Sequence, residues 1–81
     1  MRTVTYYTRK GCGCCLKALP VVEGVRAEHP FELVLVDLDE EASPEKRAAY
    51  DHEVPVVELD GRKIMKLSVD PDRLRRLLRD G

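Results

Sequence analysis

Phe31 to Leu38 (FELVLVDL) is a nearly continuous apolar run. A run of this kind marks a central strand covered on both faces, and such a strand needs helices on both sides. The flanking sequence supplies them. Upstream, Thr3 to Tyr7 (TVTYY) is rich in β-branched and aromatic residues and is followed by the breakers Arg9, Lys10 and Gly11, which predicts a strand and then a loop. From Gly13 to about Glu28 the apolar residues Cys15, Ala18, Leu19, Val22 and Val25 fall at helical spacing, giving an amphipathic helix with one buried face. Downstream, Ser43 and Pro44 pair a capping hydroxyl with proline at the first helical position, so a short helix runs to about Tyr50. Val54 to Leu59 and Arg62 to Lys66 flank Asp60-Gly61, the strongest two-residue hairpin signal. Asp70 and Pro71 repeat the cap-plus-proline signature ahead of a stripe formed by Leu74, Leu77 and Leu78.

The order is βαβαββα. Strand, helix, strand implies a right-handed parallel crossover, and the next helix feeds a hairpin onto the same sheet. The expected fold class is α/β, a four-stranded mixed sheet with helices on both faces and the first strand central. The loop holding Gly11 to Cys15 then lies at the C-terminal end of a central strand, where open α/β sheets place their sites.

A chain of 81 residues has room for one small core, so residues 1–81 are expected to form one domain. With 36% charged residues but a formal net charge of -1, no nucleic-acid or membrane surface is implied. Met1 to Tyr7 does not read as a targeting segment and no apolar run reaches membrane-spanning length, so the expected location is the cytoplasm. The acidic run Asp37 to Glu41 reads as a solvated turn, and His29 and His52 read as surface residues.

All three cysteines, Cys12, Cys14 and Cys15, fall within four positions. An odd count with no partner elsewhere argues against a secreted disulfide scaffold and leaves redox chemistry, metal binding or coincidence. Cys12 and Cys15 form C-x-x-C across a helix start. There the first sulfur meets unpaired backbone N–H groups and the positive end of the helix dipole, which lower a cysteine pKa from about 8.5 to roughly 3.5–7.5 in known motifs. Cys12 is the candidate nucleophile. Cys15, on the same side of the first turn, is the candidate resolving thiol. Cys14 would have to close a more strained ring with either neighbour and reads as a side chain on the exposed rim. Two prolines add to the pattern: Pro20 interrupts the helix, and Val54-Pro55 opens a strand where proline is normally excluded.

The stretch YYTRKGCGCC resembles the glutaredoxin signature of an aromatic, a hydroxyl residue, a basic residue and Gly-Cys-x-x-Cys. Pro20 is similar to the helix-kinking proline of thioredoxins, and EVPVVELDGRKI resembles the cis-proline segment and hairpin of both families. The resemblance covers essentially the whole chain. It implies the thioredoxin fold, Cys12 as nucleophile, Cys15 as resolving cysteine, and a cis Val54-Pro55 bond facing them. Val54 would then hold the backbone of an extended substrate strand. Arg9 and Lys10 are candidates for binding a carboxylate and favouring the Cys12 thiolate, with Gly13 and Cys14 on the substrate side of the loop.

The departures are specific. Tyr6 and Tyr7 stand where thioredoxins have a buried acid, so that carboxylate is missing, and IMKLSVD replaces the Gly-Gly turn and acidic residue of glutathione-binding glutaredoxins. The expected function is a small thiol-disulfide oxidoreductase of glutaredoxin type, monomeric and without a bound cofactor. It would act on disulfide-containing proteins or low-molecular-weight thiols and be restored by a separate reductase. The alternative is a metal or iron-sulfur carrier, for which the three cysteines supply at most three ligands, leaving the metal to be shared with a partner.

Overall fold

The computed structural model describes residues 1–80. Its elements follow the expected order: β1 (Thr3–Thr8), α1 (Gly13–Glu28), β2 (Glu32–Asp37), α2 (Pro44–Tyr50), β3 (Val56–Leu59), β4 (Arg62–Lys66) and α3 (Pro71–Asp80). One mixed sheet has the strand order β2-β1-β3-β4. β1 pairs in parallel with β2, from Thr3 opposite Glu32 to Thr8 opposite Asp37. It pairs antiparallel with β3, from Val4 opposite Leu59 to Tyr7 opposite Val56.

One expectation is corrected here. The apolar run of β2 is an edge strand rather than a central one, and Leu35 is 50% exposed. Its side chains instead serve both core layers, Leu33 packing with one and Val36 with the other. Coverage on two faces is what makes a strand apolar, and an edge strand beneath helices on both faces has it too. The inner strands are β1 and β3, and all four residues of β3 are buried.

Side chains alternate along β1, so consecutive tyrosines enter different layers. Val4 and Tyr6 join Val22 and Val25 of α1 and Leu74 of α3. Tyr7 meets Leu38, Val56 and Tyr50 of α2 on the opposite face. The helix starts follow their local chemistry: Ser43 Oγ accepts the Lys46 N–H at 3.2 Å, and Asp70 Oδ1 accepts the N–H groups of Asp72 and Arg73 at 3.0 and 3.3 Å. Among the described residues no helix is long and apolar enough to cross a membrane.

The hairpin turn places Asp60 at φ 52° and Gly61 at φ 86°, the left-handed pair that this turn demands. A Cβ at Gly61 would meet no atom within 4 Å, so Gly61→Ala isolates the backbone strain. We predict that it destabilises the domain by about 1 kcal/mol. Gly24→Ala, in open space within α1, is expected to stabilise by about 0.5–1 kcal/mol. Urea midpoints moving in opposite directions at unchanged slope are the expected result; a loss at both positions would contradict it.

Candidate functional site

β1 ends at Thr8, and the chain turns through Gly11 at φ 78°, with the Cys12 N–H donating to the Arg9 carbonyl at 3.2 Å. This turn sets Cys12 as the N-cap of α1 in extended backbone (φ -87°, ψ 103°). Its sulfur occupies the place of a capping oxygen and accepts the Cys15 N–H at 3.2 Å. Cys12 and Cys15 are joined as a disulfide with their Cα atoms 5.3 Å apart. Cys15 is buried at 2% exposure and Cys12 is half-buried, whereas Cys14 is a free, exposed thiol. The pair thus has an outer and an inner sulfur.

Beneath the inner one, the Tyr6 hydroxyl donates to the Cys15 carbonyl at 2.6 Å. Tyr6 has no solvent exposure; burial, with a smaller electrostatic contribution from Cys14, pushes its phenol up to about 12. The sequence identified this position only by the acid it lacks. Its hydroxyl-to-backbone contact spans nine residues and could not be read from local pattern.

The Val54–Pro55 bond is cis. Because Tyr7 lies opposite Val56, Pro55 falls level with the end of β1, where the cysteine loop departs. Pro55 is fully buried and Val54 half-buried, and the Pro55 carbonyl is occupied by the Leu67 N–H at 2.9 Å. A 280 Å³ cleft beside the cysteines is lined by Cys14, Lys17, Val21, Leu67 and Val69 among others. Gly13, at the first position of α1, is exposed with open space around its Cα.

Arg9 and Lys10 have carboxylate partners within the chain. Arg9 forks onto Asp39 at 2.9 and 2.8 Å, and reaches Asp51 through both its carbonyl (2.7 Å) and carboxylate (2.8 Å). These bonds raise the guanidinium pKa and hold Asp39 and Asp51 below the usual carboxylate range. Lys10 makes an exposed ion pair with Glu40 at 3.2 Å. The acidic turn is therefore more than solvated surface: Asp39, through Arg9, fastens the β1–α1 loop to the β2–α2 loop. We predict that Arg9→Ala lowers stability and raises proteolytic cleavage in the Gly11 loop, whereas Lys10→Ala leaves both near wild type, as exposed pairs do. Equal cleavage of the two variants would remove the clamp assignment.

A buried carboxylate does exist, on the other face of the sheet. Glu58 of β3, 4% exposed, accepts the Tyr50 hydroxyl at 2.7 Å and the Tyr7 hydroxyl at 3.4 Å and pairs with the Lys46 ammonium. The Tyr7 and Tyr50 rings meet edge-on at 5.2 Å. This network locks α2 onto the sheet in the layer away from α1. Its sequence signal was a single acid in the otherwise apolar VPVVEL, with Lys46 one helical turn before Tyr50. Among the described residues no group of three or more His, Cys, Asp or Glu side chains is placed to hold a metal ion.

A four-stranded mixed sheet with a disulfide closed across the helix start beyond its central strand defines a thioredoxin-superfamily redox domain. The chain belongs to the glutaredoxin-like domain family (DUF836), whose profile matches residues 3–79. An uncharacterized protein of Mycobacterium tuberculosis H37Rv is 36% identical over 75 residues, covering 89% of this chain and 77% of that protein. A glutaredoxin-like protein of Dictyostelium discoideum is 29% identical over 75 residues, covering 88% and 69%. Among solved structures, a structural genomics target from X. campestris superposes with TM-score 0.73 at 26% identity, over 96% of this chain and 97% of that one. A thioredoxin mutant from Halobacterium salinarum superposes with TM-score 0.71 at 25% identity, over 98% and 73%.

Proposed function

We propose that this domain is a dithiol oxidoreductase that reduces disulfides of proteins or low-molecular-weight thiols in two exchange steps. The Cys12 thiolate attacks one sulfur of the substrate disulfide, forming a mixed disulfide and releasing the other sulfur as a thiolate. The Cys15 thiolate then attacks Cys12 Sγ, closing the Cys12–Cys15 disulfide and releasing the second substrate thiolate. Two electrons pass from the dithiol to the substrate, and an external thiol or dithiol reductase returns them. The observation that carries this reading is the asymmetric pair: a half-buried sulfur capping a helix and a buried partner bonded to it. Val54 supplies backbone groups to an extended substrate segment, in the manner of strand addition.

Redox titration of the protein against defined thiol couples, glutathione among them, tests this. The expected result is a single two-electron transition between dithiol and disulfide, with catalysed reduction of a disulfide substrate. A protein whose pair equilibrates with no couple, or that catalyses no exchange when reduced, would end the proposal.

A further inference from the structure

Cys15 is held from two sides. Its N–H points at Cys12 Sγ at 3.2 Å, and its carbonyl receives the Tyr6 hydroxyl at 2.6 Å from the strand below. The Tyr6 contact lies where water is scarce, Tyr6 being fully buried and Cys15 2% exposed, and the N–H of that buried residue reaches out to the half-buried Cys12 sulfur. A hydrogen bond in such a site is directional and resists replacement by solvent. The first turn of α1 has no acidic side chain, so it offers the sulfur N–H groups without a competing anion. The Cys15 N–H is the donor already aimed at that sulfur.

We propose that Tyr6 is a positioning residue of the exchange reaction: by anchoring the Cys15 backbone to β1, its hydroxyl keeps the Cys15 N–H directed at Cys12 and so sustains the Cys12 thiolate. The inference rests on the exchange reading above. Tyr6 touches neither substrate nor sulfur in this role. It works through the backbone of Cys15. The charged and titratable groups on the surrounding elements are Arg9 and Lys10 in the preceding loop, Cys14 and Lys17 on α1, and His52 and Glu53 before β3. Arg9 is taken up by Asp39 and Asp51, Lys10 by Glu40, His52 lies against Asp51, and Glu53 pairs with Lys63 and Lys66. These ion pairs do not involve the Tyr6 hydroxyl; Cys14, which interacts with it electrostatically, is held constant by repeating the comparison in a Cys14→Ser background.

The test is Tyr6→Phe in the full chain, with Tyr7→Phe as the comparison. Tyr7 is also buried and hydrogen-bonded, but to Glu58 on the opposite face. Alkylation rates of Cys12 in the reduced proteins, measured across pH, should show the midpoint rising in Tyr6→Phe by the equivalent of a roughly three- to tenfold loss of thiolate, the scale of one net hydrogen bond. Its reduction potential should become more negative, because the reduced form loses stabilisation. Tyr7→Phe should lower the urea midpoint and leave the profile and potential unmoved. A wild-type Cys12 with the profile of a free cysteine would overturn this inference, while the exchange chemistry stands or falls separately by the redox titration. A wild-type profile that is acidic and unchanged in Tyr6→Phe would overturn the inference alone. If Tyr6→Phe does not fold, amide proton shifts of the reduced wild type decide. The Cys15 N–H should titrate with Cys12, and an unresponsive Cys15 N–H would show that the anchored donor does not act on the sulfur.

Discussion

Replacing Cys12 by serine is expected to reduce disulfide exchange to the uncatalysed rate, while Cys15→Ser accumulates mixed disulfides and Cys14→Ser retains most activity. The ordering follows from where the sulfurs sit. Cys12 caps α1 and is the more exposed sulfur of the pair, so in the proposed exchange it makes the first attack. Cys15 is buried behind it, so its loss leaves the first attack intact and removes the internal thiol that resolves the product. Cys14 points to solvent and is unpaired when the other two are joined. Turnover of the three variants, with mass analysis of the trapped species, checks all three outcomes in one experiment. Oxidised wild-type protein carrying chiefly a Cys14–Cys15 or Cys12–Cys14 bond would reverse the assignment, as would loss of turnover in Cys14→Ser.

What the sequence made legible was the chemistry confined to a few neighbouring residues. Ser43-Pro44, Asp60-Gly61 and Asp70-Pro71 act on backbone groups within three positions, and each element edge lies where they indicate. The Cys12–Cys15 spacing belongs to the same class, because one helical turn fixes the distance between the two sulfurs. Contacts set by assembly of the sheet were not legible. FELVLVDL discloses that both its faces are covered, yet only pairing decides that β2 lies at the edge. Arg9 finds carboxylates 30 and 42 residues away, and Tyr6 and Glu58 acquire their partners only when α1 and α2 are laid on opposite faces. The charges and hydroxyls were visible in the sequence; their partners were not.

Those buried hydroxyls lead to the second large effect, a steep loss of stability in alkali. Tyr6, Tyr7, Tyr50 and Lys46 all hold their protons more tightly in the folded chain than in the unfolded one. For Tyr6 the main cause is burial, raising it from 10.0 to about 12. For Tyr7 and Tyr50 it is burial first and then Glu58, and for Lys46 the hydrogen bond to Glu58 outweighs desolvation. The unfolded chain releases these protons near pH 10, while the folded chain retains them. The stability they contribute is therefore complete below about pH 10 and drains away as pH rises through the folded values. Tyr6 alone accounts for roughly 2–3 kcal/mol of that loss, against a total stability on the order of 4–12 kcal/mol for a domain this size. At the acid end Asp39, Asp51, Glu53 and Asp60 are held below their ordinary range, so their contribution disappears as pH falls through it. Their partners sit at the surface, where solvent screens them, and that limb should be shallow. The urea midpoint should thus be flat from about pH 6 to 9 and fall steeply above pH 10. Tyrosinate absorbance should appear together with unfolding rather than before it. Tyr6→Phe removes one of the four groups and should flatten the alkaline limb. An alkaline limb no steeper than the acid one, or tyrosines that ionise near pH 10 in the folded protein, would contradict this account of the buried hydroxyls.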